Sequence, residues 1–136
     1  MIILSVDYGD TRTGVAVCDK FQMLASPVCV ISQKDATKLG DEIAEIAKNR
    51  KAEKIVIGLP KNMDGSEGFR ARACKDFASI LKEKTNLDVD FQDERLTTVS
   101  AHNILNATNT RGKKRKAVID AVSAVIILED YLNKLK

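Results

Sequence analysis

The first third of the chain alternates short apolar runs with residues that favour turns. The β-branched, apolar run Ile2–Asp7 ends at Tyr8-Gly9-Asp10, which predicts a strand followed by a tight turn. Thr13–Cys18 predicts a second strand, close enough to form a hairpin with the first. Val28–Ile31 predicts a third strand, with Pro27 directly before it, where a missing N–H donor does least harm. Three consecutive strands joined by tight turns predict an antiparallel meander.

The hydrophobic period becomes helical after Asp35, which is placed to cap the start of a helix. The predicted elements that follow are a helix over Ala36–Arg50, a strand over Lys54–Gly58, a helix over Gly68–Lys84, a strand over Val89–Gln92, and helices over Thr97–Leu105 and Ala117–Leu135. The inner faces of the first two helices are predicted from Leu39, Ile43, Ile46, Ala47, Phe69, Ala73, Phe77, Ile80 and Leu81. Because no repeat or linker divides the chain, we expect residues 1–136 to form one domain.

This order of elements predicts an α/β fold, a mixed five-stranded sheet flanked by helices. Right-handed crossovers bring the fourth strand back beside the first, which gives the strand order 3-2-1-4-5. The first strand is then central, and open α/β sheets bind ligands beside the carboxyl end of such a strand. Asp7 closes the first strand. The topology therefore predicts a site at Asp7 before any motif is considered.

The composition excludes several classes of protein. Of 136 residues, 44% are hydrophobic and 30% charged, which suits a packed core and excludes a disordered, collagen-like or disulfide-scaffold chain. Cys18, Cys29 and Cys74 show no CxxC spacing, so we expect buried thiols rather than a disulfide framework or a zinc site. The sequence shows no signal peptide and no run long enough to span a bilayer, so we expect a cytoplasmic protein.

The positive charge is concentrated in one short segment. The net charge is +3, yet Arg111–Lys116 holds five cations and no acid, which leaves 17 cations against 19 acids elsewhere. Flexible cations in this segment are expected to contact a nucleic-acid backbone, with a solvated loop as the alternative. Such phosphate contacts add affinity without sequence readout and make binding salt-dependent.

Three acidic residues stand out by position. Asp7 ends the first strand, Glu94 follows the fifth, and Asp120 is the one charge within Val118–Leu128. The topology can bring all three to one edge of the sheet, although each alone could serve a turn, a strand end or a helix dipole. Clustered carboxylates repel unless a divalent cation neutralises them, and all-oxygen ligands suit Mg²⁺ or Mn²⁺. Two such ions about 3.5–4 Å apart support phosphodiester hydrolysis.

Four sequence blocks resemble the YqgF (RuvX) family, in order and over nearly the whole chain. The first, Asp7–Val17 (DYGDTRTGVAV), is similar to the family's D-x-G-x-x-R-x-G-x-A opening. The others are Gly58–Gly68 (GLPKNMDGSEG), Asp93–Thr98 (DERLTT) and Ile119–Leu132 (IDAVSAVIILEDYL). Thr13 and Ser123 depart from the residues common at their positions, and neither affects the three acids.

The resemblance implies an RNase H-like fold and a nuclease that processes precursor 16S rRNA in ribosome biogenesis. By motif, Asp7, Glu94 and Asp120 would be the catalytic acids and would bind two Mg²⁺ or Mn²⁺ ions, with Asp93 as the adjacent alternative to Glu94. The resemblance favours structured RNA over DNA, with ribosomal precursor particles as partners. A DNA nuclease of the Holliday-junction-resolvase kind is the alternative. A resolvase needs two sites and hence a homodimer, whereas a processing nuclease can be a monomer.

Further polar residues around the acids are expected to contact substrate. Arg12 follows the turn after Asp7 and offers a planar fork of donors to a phosphate. The full set of expected contacts is Arg12, Arg95, Thr97, Thr98, Lys113, Lys114, Arg115 and Lys116. For the two threonines a simple helix N-cap is the alternative. The absence of Trp, with four Phe and two Tyr, disfavours recognition by stacked bases.

Two other functions compete with the nuclease. The first is a phosphotransferase. The block Asp7-Tyr-Gly-Asp-Thr also resembles the phosphate-binding turn of the actin, hexokinase and Hsp70 superfamily. Members of that superfamily close two such domains over ATP, whereas 136 residues supply one. A non-catalytic protein that binds RNA or the ribosome, with vestigial acids, is the second. It predicts that an Asp7→Asn substitution changes nothing.

Overall fold

A five-stranded sheet with helices on both faces forms the molecule. The computed structural model contains, in chain order, β1 (Ile3–Asp7), β2 (Arg12–Cys18), β3 (Ala25–Ser32), α1 (Ala36–Asn49), β4 (Lys54–Leu59), α2 (Phe69–Thr85), β5 (Asp88–Asp93) and α3 (Gly112–Leu135). It describes residues 1–9, 11–59, 68–93 and 112–135, with only the backbone for residues 69 and 112–121. The strand order is β3-β2-β1-β4-β5. β1, β2 and β3 are antiparallel, and β4 and β5 run parallel to β1. The predicted fold class and the central β1 are confirmed.

β3 is longer than the sequence pattern predicts. It begins at Ala25 rather than near Val28, so Pro27 lies inside the strand. β3 is an edge strand, and its pairing with β2 shifts between Val15 and Ala16, beside the proline. Edge strands and bulges are two of the settings in which a sheet tolerates proline.

α3 begins earlier than predicted, which excludes the alternative of a loop for residues 112–116 of the basic segment. It starts at Gly112 rather than Ala117, so residues 112–116 of the basic segment are helical. Lysine and arginine have high helix propensity, and the apolar stretch that follows provides a helix for them to extend. The predicted helix over Thr97–Leu105 lies outside the described residues.

α1 and α2 cover one face of the sheet. Asp35 caps α1, because its carboxylate accepts hydrogen bonds from the amides of Thr37 and Lys38. The buried residues of this layer include Leu39, Ile43, Ala47, Ala71, Cys74, Phe77, Ala78 and Leu81. Of the predicted inner-face residues Ile46, Ala73 and Ile80 are only partly buried, so the inner face of α2 is rotated towards Ala71, Cys74 and Ala78.

α3 covers the opposite face and runs antiparallel to β1. Midway along β1, the Ser5 hydroxyl donates to the Ala124 carbonyl at 2.7 Å. Further along α3, Tyr131 lies beneath the Lys54 ammonium, 5.3 Å from the ring centroid. Lys54 is paired with Ile3, at the amino end of β1. The chain of α3 therefore passes from the carboxyl edge of the parallel strands towards their amino edge.

The cysteines agree in part with the expectation of buried thiols. All three cysteines are free thiols; Cys18 and Cys74 are buried, whereas Cys29 is only half-buried. Among the described residues, no helix combines the length and apolarity that crossing a membrane requires.

Candidate functional site

Asp7 lies at the carboxyl end of β1, on the sheet face that α3 covers. Side chains alternate along a strand, and Leu4 and Val6 belong to the core on the α1 and α2 side. Tyr8 also faces that side, where its ring stacks on Phe77 with centroids 4.4 Å apart. Ser5 bonds to α3 on the opposite face. Asp7, two residues further on, therefore projects on the α3 face, where it is half-buried.

Glycines flank Asp7 on both neighbouring strands. On β2, its direct partner is Gly14. On β4, Val6 pairs with Ile57, so the next position along, beside Asp7, is Gly58. Directly opposed residues of neighbouring strands project on the same face, and here neither has a side chain. The two strands beside Asp7 thus place no side chain next to its carboxylate on the α3 face.

The backbone of Asp120 lies at the same edge of the sheet as Asp7. Asp120 precedes Ala124 by four residues, which is about 6 Å along a helix. Asp7 follows Ser5 by two residues, which is about 6.6 Å along a strand. Since Ser5 contacts Ala124 and α3 runs antiparallel to β1, both steps lead to the carboxyl edge.

Glu94, the third predicted acid, lies outside the described residues, and Asp93 ends β5 opposite Leu59. Within the described parts of the chain, no three acidic, histidine or cysteine side chains cluster to form a metal site. Of the three acids, Asp7 alone has a described side chain. The metal set Asp7, Glu94 and Asp120 therefore stays a prediction.

Gln92 is a residue that the sequence analysis did not single out. Asp90 accepts a hydrogen bond from Tyr131 of α3, so the alternation of β5 places Gln92 on the same face. Gln92 is level with Gly58 in the sheet. Its Oε1 is buried without a hydrogen-bond donor among the described residues. Buried polar atoms are rarely left unpaired. In β5 (DVDFQD) Gln92 follows Asp88 and Asp90 at the polar positions of the alternation, so the sequence pattern did not distinguish it from a solvent-facing residue.

Arg12, a predicted substrate contact, begins β2 and is half-buried. Its Nη1 is buried and has no acceptor within the part of the chain that the structure describes. The turn that presents it requires glycine, because a Cβ on Gly9 would collide with the Arg12 carbonyl oxygen. Thr13 is fully buried, and its hydroxyl accepts from the Gly9 amide at 3.5 Å. The turn therefore fixes Arg12 close to Asp7.

The other predicted substrate contacts stay predictions. Arg95, Thr97 and Thr98 lie outside the described residues. Lys113, Lys114, Arg115 and Lys116 are on the first turns of α3, where only the backbone is described.

The resolved electrostatic network extends from the opposite, amino edge of the sheet, at Lys54, to Asp90 midway along β5. A hydrogen bond from the Tyr131 hydroxyl, at 2.7 Å, lowers the pKa of Asp90. Contact with Tyr131 raises the pKa of Lys54, whose ammonium is 3.8 Å from the Asp90 carboxylate. Burial raises the pKa of Tyr131. These groups satisfy one another and hold the end of α3 against the sheet.

Comparison with known proteins identifies the family. Residues 1–134 match the RuvX family, which is described as Holliday junction resolvase. The chain belongs to the RuvX family. Family membership makes it an enzyme of the nuclease class, a hydrolase of phosphodiester bonds. The match spans all four sequence blocks that suggested the resemblance.

Two relatives of this RuvX-family chain are similar over almost their full length. A protein of Lactococcus lactis subsp. cremoris (strain MG1363), named "Putative pre-16S rRNA nuclease", is 45% identical over 133 residues, which is 96% of this chain and 93% of the relative. A protein of Halothermothrix orenii with the same name is 44% identical over 133 residues, 98% of this chain and 95% of the relative.

Solved structures of junction resolvases share the fold. RuvC of T. thermophilus, in complex with a Holliday junction substrate, superimposes with a TM-score of 0.62 at 9% identity, covering 99% of this chain and 96% of RuvC. The fowlpox virus Holliday junction resolvase gives a TM-score of 0.58 at 14% identity, covering 98% and 99%. The predicted RNase H-like architecture is confirmed.

Proposed function

We propose that this protein is a metal-dependent phosphodiesterase that cleaves structured nucleic acid, with precursor 16S rRNA as its substrate. Asp7, Glu94 and Asp120 are its catalytic acids in this proposal, with Asp93 as the alternative to Glu94. The observation that carries it is the direction of α3. That direction brings the backbone of Asp120 to the edge and face of the sheet at which β1 presents Asp7.

The residues around Asp7 fit a divalent cation. The proposed donors are all oxygens, which hard cations such as Mg²⁺ or Mn²⁺ prefer. Gly14 and Gly58 contribute no side chain to the positions directly beside Asp7. The unsatisfied Oε1 of Gln92 adds an oxygen acceptor on the same face. Asp7 and Asp120 would bind the metal, and two bound ions supply an activated water and stabilisation of the leaving oxygen.

The protein's own residues would position the substrate. Arg12 presents a guanidinium whose buried Nη1 is not used by the described structure, and a phosphate is the bidentate partner that arginine favours. The cations of the first turns of α3 precede Asp120 on the same helix. They would bind the nucleic-acid backbone on either side of the cleaved phosphodiester bond, which would make the affinity salt-dependent.

The choice of precursor rRNA is supported by the names of the relatives that are 44–45% identical. The RuvX description and the RuvC-like fold support the second candidate, a four-way DNA junction. These candidates differ in assembly, since resolution of a junction requires two sites in a dimer. The binding-only alternative predicts that no acid is needed.

The test is cleavage of a structured precursor-rRNA fragment beside a four-way DNA junction, with Mg²⁺, Mn²⁺ or EDTA. Asp120→Asn is the test variant. Asp130→Asn is the matched control, because Asp130 is an exposed acid on the same helix. We expect metal-dependent cutting of the RNA that Asp120→Asn abolishes and Asp130→Asn retains. Cutting of the junction alone would establish the alternative of a junction-cleaving DNA nuclease. Undiminished cutting by Asp120→Asn would refute the three-acid site.

A further inference from the structure

A cleft of about 480 Å³ opens between the start of β2 and the connection from β3 to α1. The residues that line it are Thr11, Arg12, Ser32, Gln33 and Lys34. They comprise two cations, two hydroxyls and an amide, and no acid is among them. Of the five, only Arg12 was expected from the sequence to contact a substrate.

The polar groups of the cleft are arranged as donors. The Gln33 Oε1 accepts a hydrogen bond from the Asp35 amide at 3.1 Å, so the amide group of Gln33 is left with its NH₂ donors. The neighbouring Asp35 carboxylate is engaged in capping α1. No ion pair forms on Arg12 or Lys34 within the described residues, and the buried Nη1 of Arg12 has no acceptor there. A donor-rich pocket with two cations suits an anion with several oxygens.

The cleft lies at the carboxyl edge of the sheet, and two of its residues, Arg12 and Ser32, are on the same face as Asp7. Asp7 pairs with Gly14, and Gly14 pairs with Val30. The next row of the same face, two residues towards the carboxyl edge, is Arg12 paired with Ser32. The cleft is therefore about 7 Å from Asp7 along the strands and one to two strand spacings of about 4.8 Å across them.

We propose that this cleft binds a backbone phosphate of the strand that is cut, at least one nucleotide away from the scissile phosphate at Asp7. The inference rests on the proposed function for the identity of the anion as nucleic acid. A phosphate held here fixes the position of the strand without reading its sequence. Lys34, Gln33 and Ser32 are then binding residues beside the three acids.

The first test replaces Lys34. The variant is Lys34→Ala, and Lys38→Ala is the matched control, since Lys38 is an exposed lysine one turn away that does not line the cleft. We expect Lys34→Ala to raise KM several-fold with kcat nearly unchanged. The slope of log affinity against log salt should become shallower by about 0.7–0.9, the loss of one phosphate contact. An unchanged slope and KM, or equal effects from Lys38→Ala, would overturn the proposal.

The second test uses inorganic phosphate and needs no cleavage. In a titration followed by amide NMR, the signals of Thr11, Arg12 and Gln33 should shift saturably in the wild type and much less in Lys34→Ala. Unmoved signals would overturn the cleft even if the enzyme is active. If Asp120→Asn still cuts while the cleft signals shift, the three-acid site fails and the cleft stands.

Discussion

The two edges of the sheet differ in how completely their polar groups are satisfied. At the amino edge, Asp90, Tyr131 and Lys54 bond to one another and hold α3 in place. At the carboxyl edge, Arg12 Nη1 and Gln92 Oε1 are buried without partners in the described structure. The two atoms lie on opposite sides of β1, Arg12 on the neighbouring β2 and Gln92 on β5, beyond β4.

This difference distinguishes polar groups that stabilise the fold from polar groups that are available to bind a ligand. A buried unpaired group costs about 1–3 kcal/mol, so a fold keeps such groups where a ligand pairs with them. The amino edge contains no such group among the described residues, and its network serves to hold α3 against the sheet. The unpaired donor and acceptor on either side of Asp7 instead suit a negatively charged substrate and a cation.

Asp7→Asn is expected to have the largest effect, a loss of cleavage on the order of 10³-fold or more, because a catalytic ligand is removed. Folding should survive, since Asn has the same shape and carries no charge to be repelled. At a hundredfold excess over its Kd, Mn²⁺ should stabilise the wild type by about 2.7 kcal/mol and so raise its melting temperature. It should not raise the melting temperature of Asp7→Asn. Equal metal-induced shifts in calorimetry would show that Asp7 does not bind the metal.

Arg12→Met is expected to weaken nucleic-acid binding at least about tenfold, because a charged hydrogen bond contributes about 1.5–3 kcal/mol. The free energy of unfolding should not fall and should rise by up to about 1–3 kcal/mol, since Met removes a buried Nη1 that the described fold leaves unpaired. Arg72→Met, an exposed arginine on α2, is the control. Binding titrations and urea unfolding measure both quantities. A large loss of stability with normal binding would make Arg12 a structural residue.

Much of the carboxyl edge could be predicted from the sequence because strand pairing follows from simple patterns. The apolar runs and short turns determine the meander, and a right-handed crossover places β1 centrally. Asp7 was then located by topology alone. The helical start of the basic segment was missed because residues 111–116 lack the apolar period that marks a helix, although their propensity favours one.

Gln92 and Lys34 could not be predicted as site residues for a different reason. Gln92 is recognisable only when its Oε1 is seen to lack a donor, and Lys34 only when Ser32 is seen to pair with Arg12. Both facts depend on which strands are neighbours and on the atoms that other residues already use. A single sequence indicates only weakly which strands are neighbours, and it does not indicate at all which atoms other residues already use.

Tyr131→Phe is expected to have the smallest effect and to act at the amino edge alone. The hydrogen bond from Tyr131 lowers the pKa of Asp90. Asp90 therefore stabilises the fold above its unfolded pKa of about 3.9, and this contribution is lost as pH falls through the lower folded pKa. The variant should lose about 1 kcal/mol of stability at neutral pH. Between pH 5 and 2 its stability should fall by less than that of the wild type, as measured by urea unfolding.

The cleavage rate of Tyr131→Phe per folded molecule should equal that of the wild type, because the structural network is separate from the site at Asp7. A fall in cleavage without unfolding would instead mean that the seating of α3 at Tyr131 controls where Asp120 lies.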